Sequence, residues 1–155
     1  MIDYPAEFHS LIQKTSSVLE REIARDKYEI LDRGVPHIPQ RLPHGKMGIY
    51  TFLYNDRFLK IGKAGTNSGP RFLSQHYNPR LAKSTLAASL LADKEMHPFH
   101  LDENNVKDWI KQNCRRIDVI MDAGLSIFAL GFVEAILHFY YEPKYEGFSS
   151  QRKNV

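Results

Sequence analysis

The sequence predicts an α+β fold, a small central antiparallel sheet of about three strands flanked by helices. Three observations predict it. Gly48 to Tyr54 is rich in aromatic and β-branched residues and runs through the turn residues Asn55-Asp56 into Arg57 to Ile61, the pattern of a β-hairpin. The segments on either side space their apolar residues at three and four positions, as helices do. Finally, the most apolar stretch, Leu125 to Tyr141, is too long for an ordinary strand, shorter than a membrane span, and interrupted by Glu134 and His138, so it reads as a buried helix.

Taken in chain order, Phe8, Leu11, Ile12, Val18, Leu19, Ile23, Tyr28, Ile30 and Leu31 predict one long amphipathic helix from Tyr4 to Asp32, with Pro5 in its first turn and Gly34 as its stop. Prolines 36, 39 and 43 then impose an extended connector that leads into the hairpin. Gly65 to Pro70 breaks the strand pattern, and a helix is expected from about Pro70 to Asn78-Pro79. Arg80 to Asp93 reads as helical. Asn104 or Asn105 is placed to cap a helix through Trp109 to Cys114, Arg116 to Met121 reads as the third strand, and Ser126 is placed to cap the last helix. These elements divide the chain into an N-terminal helix and connector (1–45), a core (46–148) and a polar, basic tail (149–155) expected to fray, all within a single domain.

Composition bounds the function classes. The chain of 155 residues is long enough for one core without disulfides, and 25% charged with 43% hydrophobic residues is a globular balance. A net charge of +3 permits a nucleic-acid partner without demanding one. The single cysteine, Cys114, offers neither an internal disulfide nor a cysteine-based metal site, and the N-terminus lacks the pattern of a secretory signal, so a cytoplasmic location without membrane contact is expected.

Chemistry concentrates in and just after the hairpin. Tyr50, Lys60 and Arg71 bring a phenol, an amine and a guanidinium into one short window suited to phosphodiester chemistry. Because strand side chains alternate faces, Tyr50 and Lys60 share a face only if the hairpin loop has three residues or the ladder carries a bulge; a plain two-residue loop would oppose Tyr50 to Ile61. The ordinary alternatives are a core tyrosine and a solvated lysine. His76 and Tyr77 follow Arg71 closely, while Lys63 and Arg80 are cations able to contact phosphate. Far downstream, Glu134 places a carboxylate inside the apolar stretch, where an unpartnered charge is expensive, and a divalent cation is one partner that would answer it.

Gly48-Ile49-Tyr50, Lys60-Ile61-Gly62, Arg71 and Glu134 occur in the order and approximate spacing of the GIY-YIG nuclease superfamily, which the segment from about Met47 to Gly147 resembles. Lys60 stands where the second tyrosine of that name would be, as in the branch that carries KIG in place of YIG and includes some restriction enzymes. The resemblance implies that Tyr50 activates or positions water, Arg71 binds the scissile phosphate, Glu134 holds magnesium (manganese being the usual substitute), and Lys60 or His76 assists, with Lys63, Tyr77 and Arg80 as substrate contacts. Many members carry an asparagine shortly after a proline beyond the glutamate; here Pro143 is followed by Lys144-Tyr145-Glu146-Gly147, with no asparagine. The expectation is a magnesium-dependent endonuclease acting on DNA, in restriction or phage defence, with a homodimer as one route to cutting both strands. Two rival readings stand beside it: a nucleic-acid-binding module that has lost cleavage, and a regulatory interaction protein.

Overall fold

The computed structural model describes residues 1–146, so the tail expected at 149–155 lies outside the described residues. Its element order is α1 (Tyr4–Val18), β1 (Tyr28–Gly34), β2 (Lys46–Tyr54), β3 (Arg57–Ala64), α2 (Gly69–Leu73), α3 (Leu86–Ala92), α4 (Val106–Asn113), β4 (Arg115–Asp122) and α5 (Ile127–Tyr141), with short 3₁₀ turns between several of them. The α+β class holds. The sheet, however, has four antiparallel strands in the order β1-β4-β2-β3 rather than three.

The fourth strand comes from the segment read as the second half of a long N-terminal helix. α1 begins where Asp3 accepts from the Ala6 amide and Pro5 occupies the first turn, but it ends at Val18, and Glu20 adopts a left-handed φ of 55°. Tyr28 to Gly34 then pairs with β4, Tyr28 opposite Met121 and Ile30 opposite Val119. Tyr28 and Ile30 are two apart as well as being part of a helical series, and pairing with the buried β4 decided between the periods. Gly34, expected to stop a helix, ends this strand with φ 75°.

Two hydrophobic clusters sandwich the sheet. On one face Met47, Ile49, Ile117 and Val119 pack with Phe8 and Ile12 of α1 and with Leu130, Val133 and Leu137 of α5. On the other, Tyr50, Phe52 and Leu59 pack with Phe72, Leu86, Leu90, Val106 and Ile110 from α2, α3 and α4. The segment expected to be helical from Arg80 to Asp93 is helical only from Leu86, where Thr85 accepts from the Ala88 amide. The helix after Gly65–Pro70 ends at Leu73 and is followed by a 3₁₀ turn at Gln75–Tyr77. Ser126 and Asn105 sit at the caps expected of them, but neither side chain makes the capping bond. The stretch read as a buried helix, α5, is buried along one side only: its Phe128 and Phe139 are 82% and 87% exposed.

β3 is an edge strand, and its outer edge is partly covered. The amides of Lys144 and Tyr145 donate to the carbonyls of Phe58 and Leu59, and His138 Nε2 donates to the Ile61 carbonyl at 2.7 Å. These bonds hold α5 and the segment after it against β3, with His138 satisfied at the core edge as a histidine there usually is.

Candidate active site

The hairpin turn at Asn55-Asp56 has two residues, both at positive φ (48° and 57°), yet the ladder shifts register between Phe52 and Leu53. Leu53 pairs with Phe58 and Phe52 with Lys60, so Leu59 is an extra, bulged residue. The bulge restores the parity that a two-residue loop alone would break. Tyr50 consequently lies opposite Gly62, and Lys60 rises on the same face as Tyr50.

Both motif glycines are explained by close approach. A Cβ on Gly62 would lie 2.2 Å from the Tyr50 hydroxyl oxygen and 2.5 Å from Cζ, because the phenol ring crosses directly over that residue toward the sheet edge. A Cβ on Gly48 would meet the Phe72 ring at 2.6 Å. Phe72 belongs to α2, so Gly48 sets how closely the helix carrying Arg71 can approach the strand carrying Tyr50.

The Tyr50 hydroxyl is buried against a histidine and lies near a cation. His76 Nε2 lies 2.6 Å from it, and His76 Nδ1 lies 3.3 Å from the Leu86 amide. A backbone N–H can only donate, so Nδ1 is the unprotonated nitrogen and Nε2–H donates to Tyr50. Burial holds His76 far below its ordinary range, at about 3, with the positive charges of Lys60, Arg71 and Arg116 adding to the effect, so the ring is neutral at physiological pH. The guanidinium of Arg71, an exposed residue, lies near enough for its charge to act on the same hydroxyl. Burial pushes the Tyr50 hydroxyl up to about 12 against the lowering effect of Arg71. Tyr50 is therefore a phenol at neutral pH, with its oxygen already placed to be stabilised as a phenolate.

Two carboxylates border this group, and each is held by a lysine of β3. Glu134, on α5, pairs with Lys63 from the opposite face of the sheet, and its charge reaches Tyr50 around the edge strand. Glu146 pairs with the buried Lys60 at 3.0 Å and acts on Tyr50 more strongly than Glu134 does. The structure thus brings together Tyr50, Lys60, Arg71 and His76, with Glu134 and Lys63 arriving from the other side. Among the described residues no group of three or more histidine, cysteine, aspartate or glutamate side chains is arranged to hold a metal. Magnesium needs only one or two carboxylates alongside its waters, and Glu134, largely shielded but at the sheet edge, has the donor chemistry for it.

Tyr77 and Arg80 stand apart from that cluster. Arg80 lies on the surface with Nε donating to Glu103 at 2.9 Å. The Tyr77 hydroxyl is spent inside the fold, accepting from Arg116 Nη1 at 2.9 Å and donating to His37 Nε2 at 2.7 Å, since His37 Nδ1 must donate to the Cys114 carbonyl. Sequence reasoning passed over Arg116, which is fully buried: Nη2 donates to the Phe72 carbonyl at 2.7 Å and Nε to Asp118 at 2.8 Å. Burial alone would lower its pKa, but Asp118 and Tyr77 outweigh that and hold it above the ordinary value. Asp118 also accepts from Arg33 at 3.0 Å. By gripping Phe72 and Tyr77, Arg116 fixes both ends of the short segment that carries His76 and begins next to Arg71.

No family model, curated protein or solved structure matched this chain. Glu146 was also missed, and its one sequence signal was indirect: a lysine within the apolar run Phe58-Leu59-Lys60-Ile61 calls for a counter-ion somewhere in the chain.

Proposed function

We propose that this protein is a divalent-metal-dependent endonuclease of the GIY-YIG type, hydrolysing nucleic-acid phosphodiesters, with DNA as the substrate and restriction or phage defence as its setting. The single observation that carries the reading is the Tyr50 hydroxyl, lodged over Gly62 with His76 Nε2 2.6 Å from its oxygen and the positive charge of the exposed Arg71 near enough to lower its pKa. A core tyrosine needs one polar partner. A buried donor together with a nearby cation on an exposed residue suits an oxygen that must at some stage carry negative charge.

In this mechanism Arg71 binds a non-bridging oxygen of the scissile phosphate through its fork of donors. Once its own proton has left to solvent, the Tyr50 phenolate, stabilised by His76 Nε2–H and the charge of Arg71, accepts the proton of the attacking water as the water oxygen bonds to phosphorus and the P–O bond to the leaving sugar oxygen breaks, that oxygen taking its proton from solvent. His76 stays neutral throughout, acting as a donor and not as the base, because its Nδ1 is occupied by the Leu86 amide. Magnesium at Glu134 would supply positive charge that offsets the phosphate's and brings Tyr50 down from about 12 toward working pH. Lys63, displaced from Glu134, would be left to face the phosphate.

The rival reading, a nucleic-acid-binding module without cleavage, is favoured by one observation: both carboxylates at the site are already neutralised by lysines. A panel of labelled single- and double-stranded DNA and RNA, incubated with magnesium or with chelator, separates the two. Chelator-sensitive cutting of any member supports the nuclease; binding to the panel without cutting under magnesium or manganese supports the rival.

A further inference from the structure

Beside the segment that carries Arg71 and His76 lies a cleft of about 620 Å³ that the proposed chemistry does not use. One wall is that segment itself, through Ser74, Tyr77 and Asn78; the other is α4 and the turn before it, through Asn104, Lys107 and Lys111. Positions 104, 107 and 111 are three and four apart, so they form one stripe facing the cleft. Two lysines one turn apart repel each other and destabilise the helix. Nothing along that stripe neutralises them: Lys107 has no ion pair among the described residues, Lys111 Nζ sits 5.8 Å from the Tyr77 ring centroid, and the one acid lining the cleft, Glu103, is taken by Arg80.

Its other lining residues include two exposed apolar side chains, Ile38 at 79% and Leu81 at 59%. The cleft therefore offers uncompensated positive charge on one wall and apolar surface at its rim. We infer that it holds a single nucleic-acid strand adjoining the cut site, with successive phosphates on Lys107 and Lys111 and a base face against Leu81 or Ile38. The lysines stand about 6 Å apart along the helix axis, four residues at about 1.5 Å each. A duplex is excluded by size, since this volume accepts a nucleotide or two of one strand, and its base faces are stacked away from apolar contact.

The inference rests on the endonuclease reading, and its test keeps the two separable. A labelled single-stranded oligonucleotide is titrated with Tyr50→Phe protein in chelator, so that no cutting intervenes, between 50 and 200 mM salt. Adding Lys107→Ala and Lys111→Ala should lower the slope of log affinity against log salt by about 1.4, at about 0.7 per phosphate contact, so the deficit at 50 mM exceeds that at 200 mM about sevenfold. Leu81→Ser should weaken binding severalfold with the slope unchanged. Lys14→Ala, on the far helix α1, should change neither. Nucleic-acid binding whose slope is untouched by the two lysines overturns the cleft and leaves the endonuclease reading standing. Equal competition by polyglutamate overturns it too, as charge alone would then account for the affinity. Absence of salt-dependent binding of the single strand by the parent protein also overturns the cleft, while the endonuclease reading is decided separately by cleavage of the panel.

Discussion

Replacing Gly62 with alanine tests the contact on which the site is built. The added methyl would lie 2.2 Å from the Tyr50 oxygen, and ordinary van der Waals contact begins near 3.4 Å, so the hydroxyl must retreat by about 1.2 Å. It cannot retreat freely, because the ring packs against Phe52, Phe72 and His76 with centroid separations of 6.2, 6.3 and 4.6 Å. Overpacking of this kind costs about 1–3 kcal/mol. For a chain of this size that corresponds to about 2–4 °C in Tm per kcal/mol. The effect on cleavage should be the larger one, since misplacing a reacting group by about 1 Å costs on the order of a hundredfold in rate. Thermal melts together with single-turnover cleavage measure both. A Gly62→Ala protein that melts with the wild type and cuts at the wild-type rate would refute the placement of Tyr50.

Other expectations follow from the same geometry. His76 has a folded pKa of about 3 against an ordinary 6.5, so the unfolded chain takes up the proton first; stability from this group is complete above pH 6.5 and is lost as pH falls below it, by about 2 kcal/mol at pH 5. Urea titrations from pH 7 to 5 should show this loss, reduced in His76→Gln, with His37, also lowered by burial, contributing in the same direction. Tyr77→Phe removes the acceptor for Arg116 and the donor to His37, and should cost about 1–3 kcal/mol in the same assay. Arg116→Met leaves Asp118 with Arg33 alone and frees the Phe72 carbonyl, with an expected loss of about 3–5 kcal/mol.

The hairpin and the motif residues were legible because each carries a local signal. Asn55-Asp56 marks a turn, and the parity argument at Tyr50 and Lys60 required either a longer loop or a bulge; the ladder has the bulge, at Leu59. β1 was not legible. Its apolar residues fit a helical series that continues α1, and the break at Glu20 is made by a glutamate in a conformation that normally favours glycine. The exposed Phe128 and Phe139 misled for a related reason: hydrophobicity all round α5 gives no clue to which side faces the core. At the site, Arg116 and Glu146 were hidden because their importance lies in partners far away in sequence, Phe72 and Tyr77 for one and Lys60 for the other. Charge pairing across the fold leaves no periodicity to read.

In the proposed mechanism a phenol, a guanidinium and a carboxylate act on one phosphate. Single-turnover cleavage of labelled DNA by wild type, Tyr50→Phe and Glu134→Ala in magnesium, with circular dichroism confirming that each variant is folded, tests it most directly. Cutting by the wild type that falls by a hundredfold or more in both folded variants is the expected result. Wild-type rates in either folded variant, or a wild type that cuts equally well in chelator, would contradict it.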